Sequence, residues 1–168
     1  MKTKASAVVL SLFLLIACGC TKRTSAEPSK LMGKLYSGQS LQTVQRKLDL
    51  SAGDWQVLQD ERSLNTSGQK PSRLYVISKK PFVQYGDSGE LMLTFYNDEL
   101  VATQFYPSNL ESFREQAQSD DKIDLSAGEN KIAPSTRVWV GKDDAGRSYI
   151  GWIDKVRQNE MSGAPAQR

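Results

Sequence analysis

The spacing of apolar residues changes several times along this chain, and each change marks an expected element. The first run, Ala5 to Ala17, is made of apolar or small residues throughout, with Lys2 and Lys4 before it and the cysteines and a polar stretch after it. That is the layout of a secretory signal peptide, and it is shorter than the roughly 20 residues a bilayer-spanning helix needs. Residues 21–30, TKRTSAEPSK, contain a proline and no periodicity, so 18–30 reads as a flexible tether with a reach of about 30 Å at most.

Periodicity begins after the tether. Leu31, Met32 and Leu35 predict a short helical turn ending at Tyr36-Ser37-Gly38. In GQSLQTVQRKLDL, Ser40 can cap a helix whose Leu41, Val44 and Leu48 form one apolar stripe. From Trp55 the period becomes two: WQVLQDERS predicts a first strand, and SRLYVISKK (72–80) a second. The stretch GELMLTFYNDELVATQFYP predicts a hairpin turning at Asn97-Asp98-Glu99, with a two- or three-residue turn left open. Ser108-Asn109-Leu110-Glu111 then forms a capping-box pattern before a second amphipathic helix over 109–117. After a long polar connection, 118–135, RVWVGKDDAGRSYIGWI predicts a second hairpin. The expected class is α+β: a small antiparallel β-sheet packed on one face by two or three short helices, with an extra C-terminal β-hairpin. The organisation is a signal peptide (1–17), tether (18–30), α+β domain (31–106), helix-plus-hairpin extension (107–160) and disordered tail (161–168). LDLSAGD at 48–54 recurs as IDLSAGE at 123–129, but the flanking patterns do not correspond, so a tandem duplication is not expected.

Composition narrows the chemistry. Without residues 1–17 the chain holds 20 basic and 19 acidic residues, so its balance gives no support to a nucleic-acid partner. Histidine is absent, which removes the usual neutral-pH general base and the Ser-His and Cys-His nucleophile arrangements. The acidic pairs Asp60-Glu61, Asp120-Asp121 and Asp143-Asp144 sit in polar surroundings and read as solvated turn residues; Lys79-Lys80 reads as a solvated strand end. Trp139 and Trp152 are expected in the core. No metal and no cofactor is expected.

Cys18 and Cys20 are the chain's two cysteines. Zinc would need four ligands, which two cysteines and no histidine do not supply, and a disulfide two residues apart would be strained. The segment Leu15-Ile16-Ala17-Cys18 instead resembles the lipobox of bacterial lipoproteins. The resemblance implies diacylglycerol on Cys18, with Cys20 as the alternative site, cleavage before the lipidated residue, and acylation of the new amino terminus. Two or three acyl chains, at roughly 0.8 kcal/mol per buried CH₂, hold a protein stably to a membrane. In lipoproteins of this kind Asp after the cysteine commonly means inner-membrane retention. Gly19, or Thr21 if Cys20 is used, therefore points to the outer membrane and its periplasmic face.

Three further pieces resemble the SmpA/OmlA group, the BamE-type outer-membrane lipoproteins, whose small domain shares its architecture with the β-lactamase inhibitor protein. They are LYSGQSLQTVQRKL, the Trp-led strand WQVLQDE, and the hairpin GELMLTFYNDELVATQFY, spanning residues 31–106. The chain departs from that pattern in lacking the Leu-Gly-x-Pro that closes the family's helix. The resemblance implies a non-enzymatic protein that docks a protein partner in the cell envelope, with outer-membrane protein assembly as one setting. The alternative is an inhibitor-like lipoprotein that binds a periplasmic or extracellular enzyme. Within KKPFVQYGDSG (79–89), Phe82 and Tyr85 are the candidate partner-binding residues, since aromatics are favoured interface anchors. The competing reading makes this segment a strand continuation with Phe82 in the core.

Overall fold

The computed structural model describes residues 27–61, 72–126, 128, 130–132 and 134–162. Helix α1, Leu41–Leu48, starts where Ser40 Oγ accepts from the Thr43 amide at 3.3 Å and stops at Asp49, which takes a left-handed conformation. A 3₁₀ turn, Ala52–Asp54, then leads into strand β1, Trp55–Asp60. Next come β2 (Arg73–Ser78), β3 (Phe82–Gln84), β4 (Asp87–Tyr96) and β5 (Glu99–Pro107). Helix α2 spans Leu110–Asp121, followed by β6 (Asn130–Lys131), β7 (Thr136–Lys142), β8 (Ser148–Asp154) and α3 (Lys155–Ser162).

The hairpin β4–β5 closes through two residues, Asn97 and Asp98, both at positive φ. That conformation matches the right-handed twist of the flanking strands, and Asn and Asp tolerate it better than most residues. Beyond the turn Val101 is an extra residue, because Phe95 pairs with Leu100 and Thr94 with Ala102. The cap of α2 lies one residue later than the capping-box pattern suggests. Asn109 Oδ1 accepts from the Ser112 amide at 3.1 Å, while the Ser108 hydroxyl donates to Asp87. Asp87 also accepts from the Asn109 amide at 2.9 Å, which ties the start of β4 to the start of α2.

The described residues form an α+β fold, with a single antiparallel sheet and three α-helices among them. Strand order is β1-β2-β4-β5-β8-β7-β6, with β3 pairing to the start of β4. Because Ala102–Phe105 of β5 pairs with Ile150–Ile153 of β8, segments 31–106 and 107–160 share one sheet. They also share one core. Register places Leu74, Val76, Leu91, Leu93, Phe95, Phe105, Val138, Ile150 and Trp152 on the same face, and all are buried. Their cluster takes Val44 from α1 and Phe113 and Ala117 from α2.

Several expectations change in detail. Leu31, Met32 and Leu35 are buried, but they lie in a tight turn rather than a helical one. The Leu31 amide donates to the Leu35 carbonyl, and Lys30 bridges to Tyr36 as an isolated antiparallel pair. Helix α2 continues to Asp121, four residues past the expected end, and the polar connection after it contains β6. Ile123 and Leu125 of the second echo are buried in the core just after a helix, so both echoes follow helix ends. Helix α3, with little apolar stripe to announce it, takes Met161 and Ser162; residues 163–168 of the expected tail lie outside the described residues. Trp152 is core, as expected, whereas Trp139 lies on the opposite face of the sheet, over Gly151.

The segment that leads into the fold is stitched to the far end of the chain. Ser37 is fully buried and donates its hydroxyl to Asp154 Oδ2 at 2.6 Å. Thr136 Oγ1 donates to the Lys30 carbonyl at 2.9 Å, and Gly38 and Gln39 exchange backbone bonds with Leu100. Asp154 Oδ1 accepts from the Val156 amide at 3.0 Å, which satisfies a donor in the first turn of α3. Arg157 pairs with Glu99 and lies 3.7 Å from Asp154.

Candidate interaction surface

Phe82 and Tyr85 sit on the short hairpin β3–β4. Its turn is Tyr85-Gly86, both at positive φ, a conformation that is easy for Gly86 and unusual for a tyrosine. Both aromatic side chains turn toward α2 and the core rather than away from it. Phe82 packs edge-on against Phe105 at 6.3 Å, and Tyr85 edge-on against Phe113 at 5.1 Å. The Tyr85 hydroxyl donates to Asp121, so that carboxylate is the acceptor for a partly buried phenol on a helix and not a free turn residue. Burial pushes the Tyr85 phenol up from its ordinary pKa, and the Asp121 carboxylate pushes it further. Both rings are partly buried, and the side chain standing out on this hairpin is Val83, 65% exposed. Cys18 and Cys20 lie outside the described residues.

Lys80, read as solvated, forms an ion pair with Asp54 at 2.5 Å. The Lys80 ammonium and the Ser51 amide and hydroxyl hold the Asp54 carboxyl well below the usual carboxylate range. This contact secures the entry to β1.

The face of the sheet opposite the core has a different composition. By register it carries Ile77, Met92, Gln104, Tyr106, Tyr149 and Trp139, none of them fully buried, and also Thr94, Ala102 and Ile153, which are buried; the last two belong to a second small cluster against which Trp139 packs. Tyr106 and Tyr149 meet at 5.6 Å, and Tyr149 meets Trp139 edge-on at 6.3 Å. Two glycines make room for these rings. A Cβ on Gly151 would stand 2.4 Å from Trp139 Cζ2, and one on Gly141 would stand 2.6 Å from Tyr149 Cζ. The tight packing of rings on glycine fixes their positions.

At one end of this face Arg147 gathers two carboxylates. Its Nε donates to Asp143 Oδ2 and its Nη1 to Glu90 Oε2, each at 2.8 Å, while the guanidinium stands 4.6 Å from the Tyr106 ring. The turn that presents Arg147 is built by the same Asp143, whose Oδ1 accepts from the amides of Ala145 and Arg147. Burial pushes the Asp143 carboxyl up, but the Arg147 amide and guanidinium outweigh it, leaving Asp143 below its ordinary pKa. Burial raises the Tyr106 phenol, with the nearby Asp143 adding to it. A groove of about 430 Å³ opens beside the group, lined by Glu90, Tyr106, Pro107, Arg147 and Ser148 among others.

Chemically this group offers a planar cation, two carboxylates already engaged by it, and aromatic edges. Among the described residues no set of three or more His, Cys, Asp or Glu side chains gathers as a metal site. Arg and Tyr are residue types enriched where proteins bury surface against partners. Sequence reading missed it because Glu90 and Arg147 are 57 positions apart and meet only once β4, β5 and β8 are side by side. The four-residue spacing of Asp143 and Arg147 was the one local signal.

These observations define an α+β protein whose described residues form an eight-stranded antiparallel sheet with an arginine-centred aromatic surface on the face opposite its core. No family model matches the chain, and no match to a curated protein or a solved structure is found.

Proposed function

We propose that this protein is a non-enzymatic lipoprotein of the cell envelope, anchored through Cys18, or alternatively Cys20, to the periplasmic face of the outer membrane. There it acts as a protein-interaction or scaffold module. In this reading α1 and α2 cover one face of the sheet, and the β7–β8 hairpin widens the sheet so that its other face is broad enough to dock a partner. The observation that carries the reading is the Arg147–Glu90–Asp143 group with Tyr106, Tyr149 and Trp139 on that face. The lipobox-like Leu15-Ile16-Ala17-Cys18 supplies the argument for the anchor.

The test is site-directed photo-cross-linking in intact envelopes, with the probe at Tyr149 and, for comparison, at Val83. A specific adduct from Tyr149 that disappears in Arg147→Ala supports the reading. No adduct from either position rejects docking through these surfaces, and an adduct from Val83 alone moves the surface to the β3–β4 hairpin. Recovery of the same adduct with a soluble enzyme after membranes are removed would favour the inhibitor-like reading. Radiolabelled palmitate that still enters a variant carrying both Cys18→Ala and Cys20→Ala would reject the anchor.

A further inference from the structure

Positive charge is unevenly spread along the chain. Residues 21–47 hold six Lys or Arg and one acid, Glu27, whereas residues 48–168 hold 14 basic and 18 acidic residues. Four of those six cations, Lys30, Lys34, Arg46 and Lys47, lie in the described part, and all four are exposed.

Local structure brings them together. The turn that buries Leu31, Met32 and Leu35 leaves Lys34 outside and sets Lys30 beside Tyr36. From the last turn of α1, Lys47 Nζ donates to the Lys34 carbonyl at 3.3 Å and stands 5.1 Å from the Tyr36 ring centroid. Arg46, its neighbour on the helix, reaches back to Thr43 Oγ1. Tyr36 itself is 39% exposed. The carboxylates of this stretch are Glu27 and Asp49, both exposed, and among the described residues none of the four cations forms an ion pair.

A cluster of solvated lysines would by itself mean little. Its place in the chain gives it meaning, because Glu27, where the described fold begins, is nine residues after Cys18. At 3.3–3.6 Å per residue, a lipid on Cys18 holds this end of the fold within about 30 Å of the bilayer. The field of an anionic leaflet reaches about one Debye length, roughly 8–10 Å, so it acts on a surface that the anchor already keeps close. Lys and Arg then gain from the headgroup charge, while Tyr, with an apolar ring and a polar tip, suits the headgroup layer. The acidic remainder of the chain is repelled, which favours one orientation.

We propose that Lys30, Lys34, Tyr36, Arg46 and Lys47 form a membrane-facing surface that rests on anionic phospholipid headgroups. It thereby orients the anchored domain with the Arg147 surface free for its partner. The inference rests on the lipid-anchor reading above.

The experiment uses the full-length protein purified from membranes and reconstituted in two vesicle types, phosphatidylcholine alone or with about 30% phosphatidylglycerol. Lysines are briefly acetylated and the modification at each site is read by mass spectrometry. In the anionic vesicles, labelling of Lys34 and Lys47 should fall at least about threefold, and about 0.5 M salt should restore it. Lys79 and Lys142 should change little. Double replacement Lys34→Glu/Lys47→Glu should remove the protection of Lys30. The intact mass reports lipidation separately, so an unacylated chain overturns the anchor reading. Whichever mass is found, equal labelling of Lys34 and Lys47 in the two vesicle types overturns the docking surface. Protection that is identical in neutral vesicles, or insensitive to salt, overturns its electrostatic basis.

Discussion

Strand β8 has an arginine and two carboxylates at each end, and the two groups differ in almost everything except composition. At its start, Arg147 holds Asp143 and Glu90 with the guanidinium and Glu90 about half exposed. At its end, Asp154 is fully buried and Arg157 nearly so, with Glu99 closing the set from the β4–β5 turn. Water still reaches the first group and competes for every charge. The second has been taken out of water, so each member depends on the others to offset its desolvation. Similar chemistry is therefore open to solvent at one end of the strand and part of the tertiary structure at the other, and burial makes the difference.

The largest effect should come from Asp154→Ala. The substitution leaves Arg157 buried with its charge less compensated, removes the acceptor of the Ser37 hydroxyl and frees the first amides of α3. Breaking a buried charge pair by removing one partner costs about 3–5 kcal/mol, which should show directly in denaturant unfolding. Asp154→Asn keeps one acceptor oxygen, enough for the Val156 amide but not for the Ser37 hydroxyl as well, and should lose less than the alanine variant. A loss below about 1 kcal/mol for the alanine variant would remove the contrast between the two ends.

Gly38→Ala tests the same buried end from the other side. Gly38 has φ of +79°, and a Cβ there would stand 2.7 Å from Arg157 Nη2. Backbone strain and displacement of the guanidinium act together, for an expected loss of about 1–3 kcal/mol. The same replacement at Gly146 also meets positive φ but finds nothing within 4 Å, so it should cost only the backbone part. Equal losses at the two glycines would mean that Arg157 is not held rigidly.

Much of the local structure is legible in the sequence, and little of this contrast is. Ser40 as a cap, the stripe of α1 and the place of the turn at Asn97-Asp98-Glu99 are settled by residues within a few positions of one another, while the length of that turn depends on the strand register. Ser37 and Asp154 are 117 positions apart, and no periodicity couples them. The cap of α2 moved from Ser108 to Asn109 because Asp87, distant in the chain, claims the serine hydroxyl. Trp139 and Trp152 both looked like core residues. Their side chains point to opposite faces of the sheet, because Trp139 pairs across from Gly151 and so is offset by one from Trp152. Phe82 and Tyr85 stand out in the sequence as aromatics in a polar, glycine-ending segment, and their packing on Phe105 and Phe113, distant in the chain, is not legible there.

Tyr85 and Asp121 offer an intermediate case, a carboxylate that takes a neutral hydroxyl in partial burial. Tyr85→Phe should cost about 1 kcal/mol at neutral pH, the usual net worth of such a hydrogen bond. Its signature lies at alkaline pH. The folded state raises the phenol above its unfolded value near 10, so its contribution is complete below that value and is lost as pH rises toward the folded one. Wild type should lose stability above about pH 10, and Tyr85→Phe should flatten that limb. An unchanged alkaline slope would show that the phenol is not held by Asp121.

Arg147→Ala should have the smallest effect on stability and the clearest effect on pH dependence. Exposed ion pairs contribute little, so the midpoint of thermal unfolding at neutral pH should stay within about 2 °C of wild type. Asp143 is held below its unfolded pKa of 3.8, so its contribution is present above that value and disappears as pH falls through the depressed one. Removing the guanidinium should therefore make acid unfolding below the ordinary Asp pKa less steep while leaving neutral stability nearly untouched. Had Arg147 been part of the structural support of β8, as Arg157 is at the other end, the neutral midpoint would fall as well. That single measurement decides whether the exposed group is dispensable to the fold and so available for a partner.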